Sequence, residues 1–211
     1  MYKKTKKISI NVIRRLPQYY SYLTELKEKG VQKVSSGKLG EITGFTSSQI
    51  RQDLNNFGGF GIQGTGYDVS SLQSELSQIL GIDSHLSAII FEAGNLGQAI
   101  ANYSGFRKFA IGISALFDIN PELVGTRIHG IPVMNINEAK EYIKKNHVKI
   151  AVICTPKESA PDVVELLNDT DIKGVWNFAP VDLNLKIGIK VESVNLLNSL
   201  FVLSYLIKAE Q

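Results

Sequence analysis

A short apolar run, Ser87-Ala88-Ile89-Ile90-Phe91, leads into Glu92-Ala93-Gly94-Asn95-Leu96-Gly97, and Asp118 follows 21 residues after Gly97. Glycines between a strand and a helix are the chemistry of a phosphate cradle. Gly94 lets the backbone approach a pyrophosphate, and Gly97 lets the helix pack on the strand. The helix N-terminus then faces the phosphates. Asp118 ends the second strand at the spacing of a residue that accepts from a ribose 2′-hydroxyl. This favours NAD over NADP, whose 2′-phosphate it would repel. The first glycine of the Gly-x-Gly-x-x-Gly fingerprint is missing, and Glu92 stands in its place. A carboxylate there crowds a tight turn beside the pyrophosphate, so weakened binding is expected.

A second constellation lies nearer the start. Ser35 caps a short helix, Thr43-Gly44-Phe45 makes a tight turn, and Thr46-Ser47-Ser48-Gln49 has the form of a capping box. Two short helices joined by a glycine turn form a helix-turn-helix. Its second helix, about Ser47 to Asn56, presents Ser47, Ser48, Gln49, Arg51 and Gln52 near its start, with Ile50 and Leu54 on its apolar side. Arg51 suits a bidentate pair with guanine, and Gln49 or Gln52 one with adenine. Ser35, Ser36 and Lys38 belong to the same expected DNA face. Glycine-bracketed alternation from Phe57 to Tyr67 predicts a hairpin wing carrying Gln63. A small helical bundle that touches no nucleic acid is the competing reading of this pattern.

The charge distribution bears on that choice. Residues 1–60 hold 11 Lys or Arg against 4 Asp or Glu, whereas residues 61–211 hold 12 against 16, within a net charge of +3. A basic front suits a polyanionic partner.

The elements around these motifs follow from periodicity. Ser9 to about Lys29 reads as helical with a break expected at Pro17, and a further helix spans about Ser70 to Leu80. Strands then alternate with helices. Strands are expected at 87–91, 109–117, 131–134, 149–154 and 174–178, and helices at 95–103, 136–146 and 158–168. The fold class is therefore α/β: an N-terminal winged helix-turn-helix (1–80), a Rossmann-like parallel-sheet domain (81–192) and a C-terminal helix (193–211). That last segment, Val194 to Ile207, is apolar on nearly every side and must be buried all round. A second copy of the chain, with exchange of the helix, is the simplest cover.

Other chemistry is weakly represented. The basic start is followed by no apolar segment of a secretory signal, and no apolar run reaches the roughly 18 residues of a membrane span. A cytoplasmic location is expected, consistent with a single cysteine, Cys154. His85, His129 and His147 are far apart, and no Cys/His spacing suggests a metal. Neither a catalytic residue nor an enzyme activity is expected. A Rossmann oxidoreductase would need an acid/base group beside the nicotinamide, and none is evident.

Taken together, several segments resemble the Rex family of redox-sensing repressors, from about Ser9 to Ile207. They are Arg15-Leu16-Pro17-Gln18-Tyr19-Tyr20, Val34-Ser35-Ser36, Ile50-Arg51-Gln52-Asp53-Leu54, Phe57-Gly58-Gly59-Phe60-Gly61, Gly64-Thr65-Gly66-Tyr67, Ala93-Gly94-Asn95-Leu96-Gly97, Ala101-Asn102-Tyr103, Phe117-Asp118-Ile119-Asn120 and Asn177-Phe178-Ala179-Pro180. The resemblance implies homodimers with a swapped C-terminal helix, and binding to an A·T-rich inverted repeat in double-stranded DNA. It further implies release of that DNA when NADH binds, with NAD⁺ favouring the bound form. Thr155, Pro156 and Asn177 are counted with Glu92–Gly97 and Asp118 in the expected NAD(H) site. Arg15, Tyr103 and Asn195 match positions of the family's dimer switch, where Asn195 stands in place of the usual Asp and cannot pair in charge with Arg15. Gln52 and Gln63 stand where the family usually has basic residues, and Ile62 where it often has Lys. Glu92 and Asn195 together predict a weakened redox response. The alternative is a constitutive repressor whose degenerate Rossmann domain serves only to dimerise.

Overall fold

The side chain of Ser9 accepts a hydrogen bond from the Asn11 amide and so starts helix α1 (Ile10–Glu28). The computed structural model describes residues 8–58, 60, 65–108 and 111–209. The break expected at Pro17 does not occur, and α1 is one helix with the proline inside it. Proline removes one N–H, which leaves the Ile13 carbonyl without its helical donor. An interior proline costs about 3 kcal/mol. Burial of Leu16, Tyr19 and Leu23, each at about 1.5–3 kcal/mol, outweighs that cost. The helix ends on Gly30 in the left-handed region, with Val31 N bonded to Leu26 O and Gly30 N to Lys27 O.

The first compact unit, Met1–Asp83, adds β1 (Lys33–Val34), α2 (Ser36–Thr43), α3 (Ser47–Asn55), β2 (Tyr67–Asp68) and α4 (Val69–Leu80). β1 and β2 pair antiparallel. Leu16, Tyr19, Leu23, Leu39, Ile50, Leu54, Val69, Leu72 and Leu76 form its core. Residues 59 and 61–64 of the expected wing, Gln63 included, lie outside the described residues.

The second unit, Ser84–Gln211, holds β3 (Leu86–Phe91), α5 (Asn95–Ala101), α6 (Gly105–Lys108), β4 (Ile111–Asp118), β5 (Arg127–Ile128), β6 (Ile131–Asn135), a 3₁₀ turn (Ile136–Glu138), α7 (Ala139–Lys145), β7 (Ile150–Ile153), α8 (Ala160–Asn168), β8 (Gly174–Asn177), β9 (Lys190–Ser193) and α9 (Leu196–Ala209). The strands lie in the order β5-β6-β4-β3-β7-β8-β9, all parallel except the short edge strand β5. Without β5, this is the doubly wound order of a Rossmann sheet.

Side chains alternate across the sheet. Ile89, Phe91, Phe117, Ile153 and Val175 pack with Ala139, Ile143, Val163 and Leu167 of α7 and α8. Ile90, Leu116 and Val152 pack with Ala93 and with Ile100 of α5. β5 and β9 were not expected: β5 has two residues, and all four of β9 are exposed, so neither leaves an apolar run in the sequence. α9 buries none of its residues within the chain. No helix among the described residues is long and apolar enough to cross a membrane.

Candidate dinucleotide crevice and nucleic-acid interface

The strand order reverses between β3 and β7, and in open α/β sheets ligands bind outside the carboxyl ends of the strands at such a point. The two strands end level with each other. Glu92 N donates to Phe117 O at 2.8 Å, and Cys154 N donates to Phe91 O at 3.1 Å. Glu92 follows β3 with φ of 80°, a left-handed conformation that glycine adopts freely and a glutamate does not. The chain therefore keeps the backbone of the fingerprint's first glycine while carrying a side chain there. That side chain folds over the turn, with Oε1 3.0 Å from where a Cβ on Gly94 would sit. Burial, and then the negative charge of Asp118, push the Glu92 carboxyl above its ordinary pKa. Burial, and then Glu92, push the Cys154 thiol up to about 12, so the sulfur is neutral and inert.

Gly97 is the tightest point of the turn. A Cβ there would run into the Glu92 carbonyl oxygen and press on Ile90 Cγ2 at 3.3 Å. Gly97→Ala is expected to destabilise the second unit by about 2 kcal/mol, since neither backbone can yield cheaply. Thermal melts of the variant check this, and an unchanged midpoint would refute it.

Asp118 is 8% exposed. Its Oδ2 accepts from Ala93 N at 2.7 Å and its Oδ1 from Asn120 N at 2.8 Å. Each carboxylate oxygen retains a lone pair for a hydroxyl. Thr155 Oγ1, just after β7, is buried with no hydrogen-bond partner. A buried hydroxyl without a partner is costly, and a polar ligand group at the strand ends would satisfy it. The amide of Asn177 is turned to structure: Oδ1 accepts from Ala179 N, and Nδ2 donates to Val181 O and Ser193 Oγ. Pro156 is exposed and its carbonyl accepts from Ser159 N and Ala160 N at the start of α8. Ala93 is buried, whereas Asn95 and Leu96 reach the surface of the turn. Gly94, Gly97, Asp118 and Thr155 fit a dinucleotide, and Glu92 alone sits where an anionic bridge would lie. No group of three or more His, Cys, Asp or Glu that could hold a metal occurs among the described residues. His85, His129 and His147 are exposed, each in a left-handed turn position.

The nucleic-acid face is built by two caps and a glycine. Ser35 Oγ accepts from Lys38 N, Thr46 Oγ1 accepts from Gln49 N, and Gly44 ends α2 at φ of 77°. Ser48, Arg51 and Gln52 are exposed on α3, with Ser47 and Gln49 half-buried. Arg51 Nη1 donates to Ser36 Oγ at 3.0 Å, joining the two helices on that face. Lys38 is exposed and paired with Glu41 at 2.8 Å.

Sequence reasoning missed what holds α3 in place. Asp53 is buried, and both its oxygens are taken by the Arg15 fork, Nε to Oδ2 and Nη2 to Oδ1, each at 2.7 Å. Tyr19 Oη donates to Oδ2 at 2.8 Å. The Arg15 guanidinium also lies 5.8 Å from the Phe45 ring centroid. The hydrogen bonds that Arg15 donates to Asp53 raise the Arg15 pKa, and burial followed by the bond to Asp53 raises that of Tyr19. The signal was present: Asp53 shares the helical stripe of Ile50 and Leu54, where an acid must have a partner. Of the expected switch residues, Arg15 is thus engaged within its own unit, Tyr103 is 63% exposed, and Asn195 Oδ1 accepts from Leu197 N at the start of α9.

Comparison with known proteins places this geometry. Residues 83–181 match a CoA binding domain, and residues 7–55 match the N-terminus of a putative DNA-binding protein. The chain is 53% identical over 203 residues to the redox-sensing transcriptional repressor Rex of Clostridioides difficile, covering 96% of this chain and 97% of that one. It is 48% identical over 204 residues to Rex of Clostridium botulinum strain Hall, covering 97% of each. The crystal structure of RSP in complex with β-NAD⁺ and operator DNA superposes with a TM-score of 0.92 at 46% identity, covering 97% of this chain and 94% of that one. RSP in complex with β-NADH gives 0.89 at 44%, covering 97% and 96%. A capped helix-turn-helix and a Rossmann crevice in one chain thus carry the stamp of a regulator rather than an enzyme, and the chain belongs to the Rex family of redox-sensing transcriptional repressors.

Proposed function

We propose that this chain is a homodimeric repressor that binds an A·T-rich inverted repeat and releases it when NADH binds. The observation that carries the reading is the pairing of an anchored recognition helix with a Rossmann crevice whose Thr155 hydroxyl has no partner. The relatives' complexes with operator DNA, NAD⁺ and NADH support it. Residues 1–80 form the DNA-binding domain, 81–192 the sensor and 193–211 the dimerisation helix. Ser35, Ser36, Lys38, Ser47, Ser48, Gln49, Arg51 and Gln52 face the duplex. Gly94 and Gly97 admit the pyrophosphate, Asp118 takes a ribose hydroxyl, and Thr155 completes the pocket. As a DNA-binding regulator the protein works in the cytoplasm.

The switch is a population shift, limited by the difference in NADH affinity between the two forms. Two winged helices must dock on two half-sites at once, so a modest rotation between subunits abolishes binding. A labelled palindromic A·T-rich duplex, titrated at fixed salt without nucleotide, with NAD⁺ and with NADH, tests this. NADH is expected to weaken binding about tenfold or more. Equal affinity in all three arms would overturn the sensing reading.

A further inference from the structure

Glu92 is an acidic side chain on a glycine backbone, at the place where the crevice must accept a diphosphate. Its Oε1 lies over Gly94, in the space that a fingerprint glycine leaves open for the close approach of a pyrophosphate. Among the described residues, the strand and helix that flank it and the ends of β4 and β7 supply no cation. β3 and α5 carry no titratable side chain. The end of β4 contributes Asp118, whose carboxylate is fixed by Ala93 N and Asn120 N and cannot swing away. The end of β7 contributes Cys154, a neutral thiol. The loop beyond it carries Lys157 and Glu158, both exposed. An ionised Glu92 beside Asp118 would therefore meet a third and fourth negative charge when a pyrophosphate arrives in a half-buried cleft.

We propose that Glu92 makes nucleotide capture proton-linked: NADH enters this crevice with uptake of one proton from solvent by the Glu92 carboxyl group. Protonation changes the chemistry from repulsion to recognition. The neutral acid is an O–H donor, and a phosphate oxygen is a strong acceptor, so the same side chain that excludes the ligand when charged holds it when neutral. Burial and Asp118 already push Glu92 toward its neutral form in the free protein, which lowers the cost of the uptake. The repressor would then read two variables at one point, so that a given NADH level releases DNA more readily as the cell interior acidifies.

The inference rests on the NADH-sensing reading, and the test separates the two. Isothermal calorimetry of NADH binding to the full chain is carried out from about pH 6 to pH 8 in two buffers of different ionisation enthalpy. The same titrations are run on Glu92→Gln and Glu92→Gly. The wild-type affinity is expected to fall about tenfold per pH unit above the pKa of the free carboxyl, with about one proton taken up per NADH. Both variants should bind with no proton uptake at Glu92 and with little pH dependence. Glu92→Gly should bind more tightly than wild type at pH 8, since no carboxylate then meets the pyrophosphate and the backbone conformation already suits glycine. Any contribution from the exposed histidines is shared by all three proteins and cancels in the comparison. If wild type takes up no more protons than Glu92→Gln while Glu92→Gly binds NADH, the proton link is wrong and the sensing reading stands. If Glu92→Gly binds no NADH at any pH, both fall.

Discussion

Asp53→Ala is expected to lower the unfolding free energy of the first unit by about 3 kcal/mol and to abolish duplex binding. The carboxylate is nearly sealed from water, 3% exposed at its side chain, and it accepts three hydrogen bonds from Arg15 and Tyr19. Removing it leaves the Tyr19 hydroxyl buried with no acceptor, a desolvation cost of about 1–3 kcal/mol. It also leaves a guanidinium 19% exposed beside an apolar core, which must turn outward to be hydrated. A domain of this size has a total stability of only about 5–15 kcal/mol. The loss therefore falls on the mount of α3, and Arg51 and Gln52 lose their aim before the chain unfolds. Asp53→Asn keeps an acceptor for Tyr19 and should cost less. Urea titration followed by circular dichroism reads the stability, and duplex anisotropy reads the binding. NADH affinity of the same variant should be unchanged and serves as the control for the second unit. A loss of stability below about 1 kcal/mol would show that the network only decorates the helix.

Truncation after Val194, which removes α9, is expected to convert the protein to monomers at micromolar concentration. Operator affinity should drop about 10²- to 10⁴-fold. Nine large apolar side chains on this helix, from Leu196 to Ile207, are each 51–71% exposed within the chain. Soluble monomers rarely carry a contiguous apolar surface of that kind, so a second subunit is the expected cover. One half-site contact alone is weak, because most of the operator affinity comes from docking two DNA-binding units joined as one body. Sedimentation velocity reads the oligomeric state, and anisotropy on duplexes with one or two half-sites reads the lost avidity. A truncated chain that still sediments as a dimer would move the interface elsewhere.

The parts legible in the sequence were those whose physics is local. Gly44, Ser35 and Thr46 announce two caps and a turn because each satisfies groups within three or four residues. The run Ala88–Phe91 announces a buried parallel strand because it is apolar without alternation. Pro17 misled, since its local cost is visible and the burial that outweighs it is not. The Arg15–Asp53–Tyr19 network was hidden for the same reason: its members are up to 38 residues apart, and pairing of a buried acid has no periodic signature. The resemblance counts Asn177 in the ligand site, and nothing local in the sequence shows that its amide makes three hydrogen bonds, to Ala179 and Val181 of the following loop and to Ser193 of β9. Glu92 was conspicuous as a missing glycine, but only the backbone angle shows that the glycine conformation survived the substitution.

The double tether on Asp118 has a consequence for discrimination between cofactors. Because Oδ2 holds the Ala93 amide at the heart of the turn, the residue proposed to read the ribose is also a strut of the loop proposed to cradle the phosphates. Exclusion of a 2′-phosphorylated dinucleotide then does not rest on charge alone. A ligand that pushed the carboxylate aside would strip a buried backbone donor of its partner and slacken the very turn it needs. In the proposed site, rigidity as well as charge would tell phosphorylated and unphosphorylated cofactors apart, and a neutral substitute such as Asp118→Asn is expected not to become an NADPH sensor. It would lose grip on both.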